Sequence, residues 1–179
     1  MKGVVFTELI EMIENEFGLA VLDQVIEEAE LETKGAYTTV GNYPDSELHS
    51  ILNTLGKIKG LSTKEMLMGF SNCFFHMLSN QYGGYFETHK SSFDFLATLD
   101  NYIHPEALKL YPDATTPGFS PKRIDENTLE LIYTSERKLP ILARGLINQT
   151  VDYYNEEVDI KEELIEEDGS IVKFTLTKS

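Results

Sequence analysis

The chain has 179 residues, a length that suits one domain over 1–179, with room for a substantial core and a cofactor besides. Fifteen Lys and Arg against thirty Asp and Glu give a formal net charge of -15, which opposes attraction to phosphate backbones or anionic lipid and leaves no nucleic-acid or membrane-surface partner expected. The single cysteine, Cys73, excludes an internal disulfide, a Cys-rich zinc site and cofactor attachment through a two-cysteine signature.

The opening, Met1 to Glu8, lacks a signal-peptide apolar core, and no run approaches membrane-spanning length, so a cytoplasmic protein is expected. Phe6, Leu9, Ile10, Ile13 and Phe17 have the spacing of one helix face, with Gly18 as a stop. A second helix is predicted from Leu19 to about Leu31, with Val21, Leu22, Val25 and Ile26 inward. Gly35 to Pro44 reads as a turn-rich connection, after which Asp45 or Ser46 is expected to cap a helix carrying Leu48, Ile51, Leu52 and Leu55. Ser62 and Glu65 have capping-box spacing and open an apolar helix through Met66, Phe70, Phe74 and Leu78, which Gly83 and Gly84 interrupt.

Phe93, Phe95, Leu96, Leu99 and Ile103 predict a further helix leading to His104, where Pro105 must start a new turn or kink the old one. Pro117, Gly118 and Pro121 mark an irregular crossing into β-like sequence. Leu129 to Tyr133 reads as a strand continuing through Arg137, followed by a helix from Pro140 to about Tyr154. The end reads as a hairpin, Val158 to Glu166 and Ile171 to Leu176, turning around Asp168 and Gly169. The predicted class is α+β: a helical first half, then an antiparallel sheet with one inserted helix. The acid concentrated from Glu156 to Asp168 reads as a solvated face that could also meet a basic protein.

If Tyr133 to Arg137 is extended, alternation puts the Tyr133 phenol, the Ser135 hydroxyl and the Arg137 guanidinium on one face. Three donors on one spot suit an acidic ligand, and a histidine beside them could bind a metal; haem has both a metal and two propionates. By themselves these residues are more simply read as an ordinary polar strand face ending in an exposed arginine. Of the four histidines, His49 and His89 lie in polar surroundings and are expected at the surface, and His76 beside Phe74, Phe75 and Leu78 reads as a packed residue. His104 differs, because Leu108 and Leu110 continue an apolar lining and Pro117 offers a rigid ring to a flat ligand.

With Tyr133, Ser135 and Arg137 as Tyr-x-Ser-x-Arg, His104 upstream, Pro117 thirteen residues past it, and Met1 and Gly3 as the opening Met-x-Gly, the whole chain resembles the haem nitric oxide/oxygen-binding (H-NOX) family, whose sensor domain is also found in soluble guanylate cyclase. The resemblance implies non-covalent haem b buried between the helical half and the sheet, with His104 as axial ligand and the propionates clamped by Tyr133, Ser135 and Arg137. It places Val5, Phe74, Leu78, Leu142 and Leu146 along the gas-binding side. Oxygen-holding relatives carry a tyrosine nine positions after the motif tyrosine, and here that position is Leu142. The resemblance therefore implies a sensor of nitric oxide and carbon monoxide that excludes oxygen. Nitric oxide would lengthen or break the bond to His104, and the change would regulate a separate histidine kinase or cyclic-dinucleotide enzyme. No phosphate loop or nucleophile triad is visible, and the protein is not expected to be an enzyme. Two rival readings are a haem enzyme, such as a peroxidase or nitric oxide dioxygenase, and a module binding an acidic ligand without a metal.

Overall fold

The computed structural model describes residues 1–178, and the chain forms two compact units, one from Met1 to Met77 and one from Leu78 on. The first unit is helical: α1 (Gly3–Phe17), α2 (Leu19–Glu28), α3 (Asp45–Lys59) and most of α4 (Thr63–Gln81). Phe6, Leu9 and Ile13 of α1, Val25 of α2, Leu48, Ile51, Leu52 and Leu55 of α3, and Phe70 of α4 are fully buried. Their three- and four-residue spacing is that of apolar stripes, and burying such side chains is worth about 1.5–3 kcal/mol each.

The expected box opens α4: the Ser62 N–H donates to Glu65 Oε2 at 2.9 Å, and the Glu65 N–H donates to Ser62 Oγ at 3.2 Å. Neither Asp45 nor Ser46 caps α3, however. That helix begins at Asp45, after Pro44 in an extended conformation, and has no side-chain cap; Asp45 and Glu47 instead place negative charge in its first turn. α3 ends on Gly60 at φ 69°, the left-handed conformation that closes many helices. The connection before α3 is tied down by Glu47, which accepts from the Thr33 N–H at 3.0 Å, the Thr33 hydroxyl at 2.7 Å and the Tyr37 hydroxyl at 2.5 Å.

In the second unit, short helices precede a four-stranded antiparallel sheet of order β1-β2-β4-β3. The helices are α5 (Gly83–Glu87), α6 (Ser92–Leu96) and α7 (His104–Leu110), with a π-helical turn over Leu99–Ile103 between the last two. The strands are β1 (Gly118–Arg123), β2 (Thr128–Thr134), β3 (Val158–Leu164) and β4 (Ile171–Lys178), with α8 (Pro140–Tyr153) between β2 and β3. One face of the sheet is core: Leu129, Leu131 and Tyr133 on β2 lie opposite Leu176, Phe174 and Val172 on β4, all nearly or fully inaccessible. The period-two alternation that predicted β2 is this face. β3 forms one edge and is exposed along most of its length, which accounts for its carboxylates.

The interruption expected at Gly83 and Gly84 falls where α4 ends at Gln81 and the new helix α5 begins at Gly83. Two expectations are corrected. The single helix expected from Phe93 to Ile103 is α6, a two-residue turn and the π-helical turn, because His104 and Pro105 restart the helix at α7. The strand expected to reach Arg137 stops at Thr134. Among the described residues no helix is long and apolar enough to cross a membrane.

Candidate functional site

His104 is the first residue of α7, and its side chain is 18% exposed. Its Nδ1 lies 3.2 Å from Asp100 Oδ1. Burial pushes the imidazole below the ordinary histidine value, against the upward pull of the Asp100 charge and its hydrogen bond. A neutral ring that donates from Nδ1 has its lone pair on Nε2, the form in which a histidine ligates a metal. The second oxygen of Asp100 accepts from the Phe119 N–H at 2.7 Å, so one carboxylate joins the π-helical turn, the histidine and β1. Among the described residues no group of three or more His, Cys, Asp or Glu could hold a metal ion, so His104 is not part of an all-protein metal cage.

An aromatic row runs from this histidine into the sheet. The Phe119 ring lies 6.0 Å from His104 and 5.6 Å from Tyr133 at 60°, and Tyr133 lies 6.5 Å from Phe174. Tyr133 is 2% exposed, and its hydroxyl accepts from the Leu139 N–H at 3.2 Å. Ser135 and Arg137 leave the strand rather than extend it: Ser135 Oγ accepts from the Arg137 N–H at 3.2 Å, and the Ser135 N–H donates to the Ser170 carbonyl at 2.9 Å. The guanidinium of Arg137 reaches the segment between α7 and β1, where Nη1 donates to the Thr115 carbonyl at 2.7 Å and Nη2 to the Thr115 hydroxyl. Tyr133 thus owes its place to strand alternation, whereas Ser135 and Arg137 owe theirs to the turn after β2. The chemistry of this set, a neutral imidazole with a free nitrogen plus hydroxyl and guanidinium donors, fits a ligand with a metal and carboxylates.

Leu142 and Leu146 occupy successive turns of α8, the first 9% exposed and the second half-buried. Leu78 near the end of α4 and Pro117 just before β1 are also half-buried, as are Val5 on α1 and Phe74 on α4 in the first unit. His49 is half-buried and His76 is exposed rather than packed. His89 was expected at the surface but is held on both nitrogens, Nδ1 2.8 Å from the Tyr85 carbonyl and Nε2 3.2 Å from Thr98 Oγ1, with its ring edge-on to Phe95. Polar neighbours in sequence had suggested solvent, but Tyr85 and Thr98, four and nine residues away, hold the ring.

Residues 2–162 match the family model for haem-NO-binding domains. The chain belongs to the H-NOX family. The fold agrees with solved structures of H-NOX proteins. The Fe(II) unliganded protein from K. algicida superposes with a TM-score of 0.95 at 37% identity, covering 100% of this chain and 97% of that one. The Shewanella woodyi H-NOX, solved in solution in the Fe(II)CO state with IWP-051 bound, gives 0.86 at 34% identity, covering 100% and 95%. The S. oneidensis H-NOX in the Fe(II)NO state gives 0.90 at 20% identity, covering 100% and 99%, a likeness of fold. H-NOX domains are haem-binding gas sensors rather than enzymes, and they bind ligands such as nitric oxide and carbon monoxide.

Two residues that touch or brace His104 went unread in the sequence. Asp100 stands four residues before His104, the spacing at which helical side chains meet, so it was open to detection. Phe119 carries no such signal, since its position depends on where β1 begins.

Proposed function

We propose that this protein is a haem-based nitric oxide sensor. It holds haem b without a covalent link through His104, takes nitric oxide or carbon monoxide, excludes oxygen, and regulates a separate histidine kinase or cyclic-dinucleotide enzyme. The observation that carries the reading is the placement of His104: largely buried, with Nδ1 3.2 Å from Asp100 Oδ1, an arrangement that leaves Nε2 for a metal. When bound, haem supplies a ferrous iron that takes a diatomic gas.

The chain's own residues account for the rest. Arg137 makes charge-assisted bonds to carboxylates, while the hydroxyls of Tyr133 and Ser135 satisfy remaining lone pairs without adding charge. Pro117, half-buried just before β1, would offer its rigid side chain to the flat ring. On the family match, Leu78, Leu142 and Leu146 line the gas-binding side, and none is a strong hydrogen-bond donor. Oxygen becomes polar on binding and gains greatly from a buried donor, whereas nitric oxide needs none, so an apolar lining favours nitric oxide. His104 opens α7, so a metal held by this imidazole would serve as an anchor for that helix. Loss of such an anchor becomes a signal only by biasing two shapes of different stability.

The deciding experiment is a visible spectrum of the purified protein, as isolated, reduced, and reduced with nitric oxide, with carbon monoxide or in air. The reading expects a strong band that shifts with both gases and shows no lasting uptake of oxygen. It also expects His104→Gly to lose haem unless free imidazole is supplied. A protein that stays colourless when haem is offered, or a His104→Gly variant with unchanged colour and no added base, overturns it.

A further inference from the structure

Resting on the assignment of His104 as the axial ligand, we infer that Asp100 is a positioning residue that sets the donor strength of the His104 imidazole and couples that ring to strand β1. The carboxylate has two engagements at once, Oδ1 at 3.2 Å from His104 Nδ1 and Oδ2 at 2.7 Å from the Phe119 N–H. A carboxylate that accepts the Nδ1 proton fixes the tautomer, holds the ring plane, and shifts electron density onto Nε2, so the bond made by Nε2 is stronger than that of an isolated imidazole. The second bond fixes the carboxylate. It runs to β1, the edge strand whose Phe119 is paired with Tyr133 of β2, so a change in the His104 ring is felt at the sheet through a single side chain.

The local backbone serves this arrangement. Asp100 lies in the π-helical turn Leu99–Ile103, in which the His104 N–H donates to the Leu99 carbonyl and the Ile103 N–H to the Thr98 carbonyl at 3.1 Å. The wider turn brings Asp100 within reach of both His104 and the start of β1, and π-turns inside helices often mark functional positions. Gly118 adds to the fit: a Cβ there would lie 3.9 Å from Asp100 Oδ2, in ordinary contact, so the carboxylate packs directly over the backbone that follows Pro117.

The test is resonance Raman of the ferrous, haem-loaded protein together with amide hydrogen exchange, in wild type, Asp100→Asn and Asp100→Ala. Asparagine keeps the shape but not the charge, and it has one acceptor oxygen for two donors. The stretching frequency of the bond between iron and His104 is expected to fall in Asp100→Asn and further in Asp100→Ala. Haem loss should speed up by about 10–100-fold in Asp100→Ala, the usual cost of removing such an outer partner. Exchange at the Phe119 amide should quicken in Asp100→Ala, in the haem-loaded and haem-free protein alike. A carboxylate serving only to anchor β1 would quicken exchange and leave the stretch where it was, and that result overturns the proposal, as does an unchanged stretch with unchanged exchange. Should Asp100→Ala fail to fold, the stretch in Asp100→Asn decides alone. Failure of the underlying assignment looks different: the wild type itself would then show no stretch that disappears in His104→Gly.

Discussion

Arg137 reaches from the turn after β2 to Thr115, donating from Nη1 to the Thr115 carbonyl at 2.7 Å, and so bridges the two segments that flank β1 and β2. This reach fixes where the guanidinium stands, and its planar fork of donors matches the geometry of a carboxylate. Charged hydrogen bonds of this kind are each worth about 1.5–3 kcal/mol, so Arg137→Ala should speed haem loss roughly 10–100-fold, and Arg137→Lys should recover part of the difference. The measurement is the rate of haem transfer to an excess of acceptor globin. A rate equal to that of wild type would remove Arg137 from the propionate clamp.

Gly3, half of the opening Met-x-Gly, has a purely steric reason to be glycine. Its N–H donates to the Gly41 carbonyl at 2.8 Å, and a Cβ would collide with the Thr38 carbonyl oxygen and come within 2.8 Å of the Tyr43 ring. Backbone cannot move aside as a flexible side chain can. Gly3→Ala should therefore cost about 2 kcal/mol and lower the Tm by roughly 4–8 °C. A melting curve on the purified variant checks this, and an unchanged Tm would show that the start of α1 is free to shift.

These two positions show how unevenly the sequence discloses the molecule. Apolar periodicity located α1, α2, α4 and the buried face of β2 with little error, because burial is what both the pattern and the fold express. The His104 region was harder to read, since a π-helical turn has no period of its own in the sequence and Pro105 reads equally as a kink or a fresh start. Tyr133, Ser135 and Arg137 were legible as a set of donors but not in their geometry, which depends on where β2 ends and on Thr115, a residue distant in sequence. Spacing alone could separate neither Leu142 nor Leu146 from ordinary core. They are proposed on the resemblance to the family, not on periodicity.

Leu142 lies in the first turn of α8 and is 9% exposed, a position where a larger polar side chain would be mostly shielded from water. Leu142→Tyr adds a phenolic donor to surroundings that otherwise have none on the family match. A net gain of about 1–1.5 kcal/mol from one hydrogen bond to a polarised ligand corresponds to roughly tenfold in affinity. The reduced variant should show measurable oxygen uptake in air, with smaller changes in nitric oxide and carbon monoxide binding. Spectra in air and under each gas provide the comparison. An oxygen response identical to that of wild type would place Leu142 away from the bound gas.

Glu47 is a buried charge of the first unit, only 4% exposed and accepting three hydrogen bonds from Thr33 and Tyr37. Burial alone would raise its carboxyl above the ordinary value of 4.5, but the bonds from Tyr37 and Thr33 more than offset this and leave it lowered. With the folded value below the unfolded one, the stabilisation is complete above pH 4.5 and is lost as pH falls through the folded value. Glu47→Gln keeps the shape but forfeits the charge and leaves the Thr33 and Tyr37 donors poorly matched, so it should cost about 2 kcal/mol at neutral pH. The gap between the two proteins should then narrow as the wild-type carboxylate is protonated. Thermal unfolding of both from pH 7 to pH 3 reads this directly. A gap that stays constant across the acid range would mean that the Glu47 charge contributes nothing, and that the loss comes from shape alone.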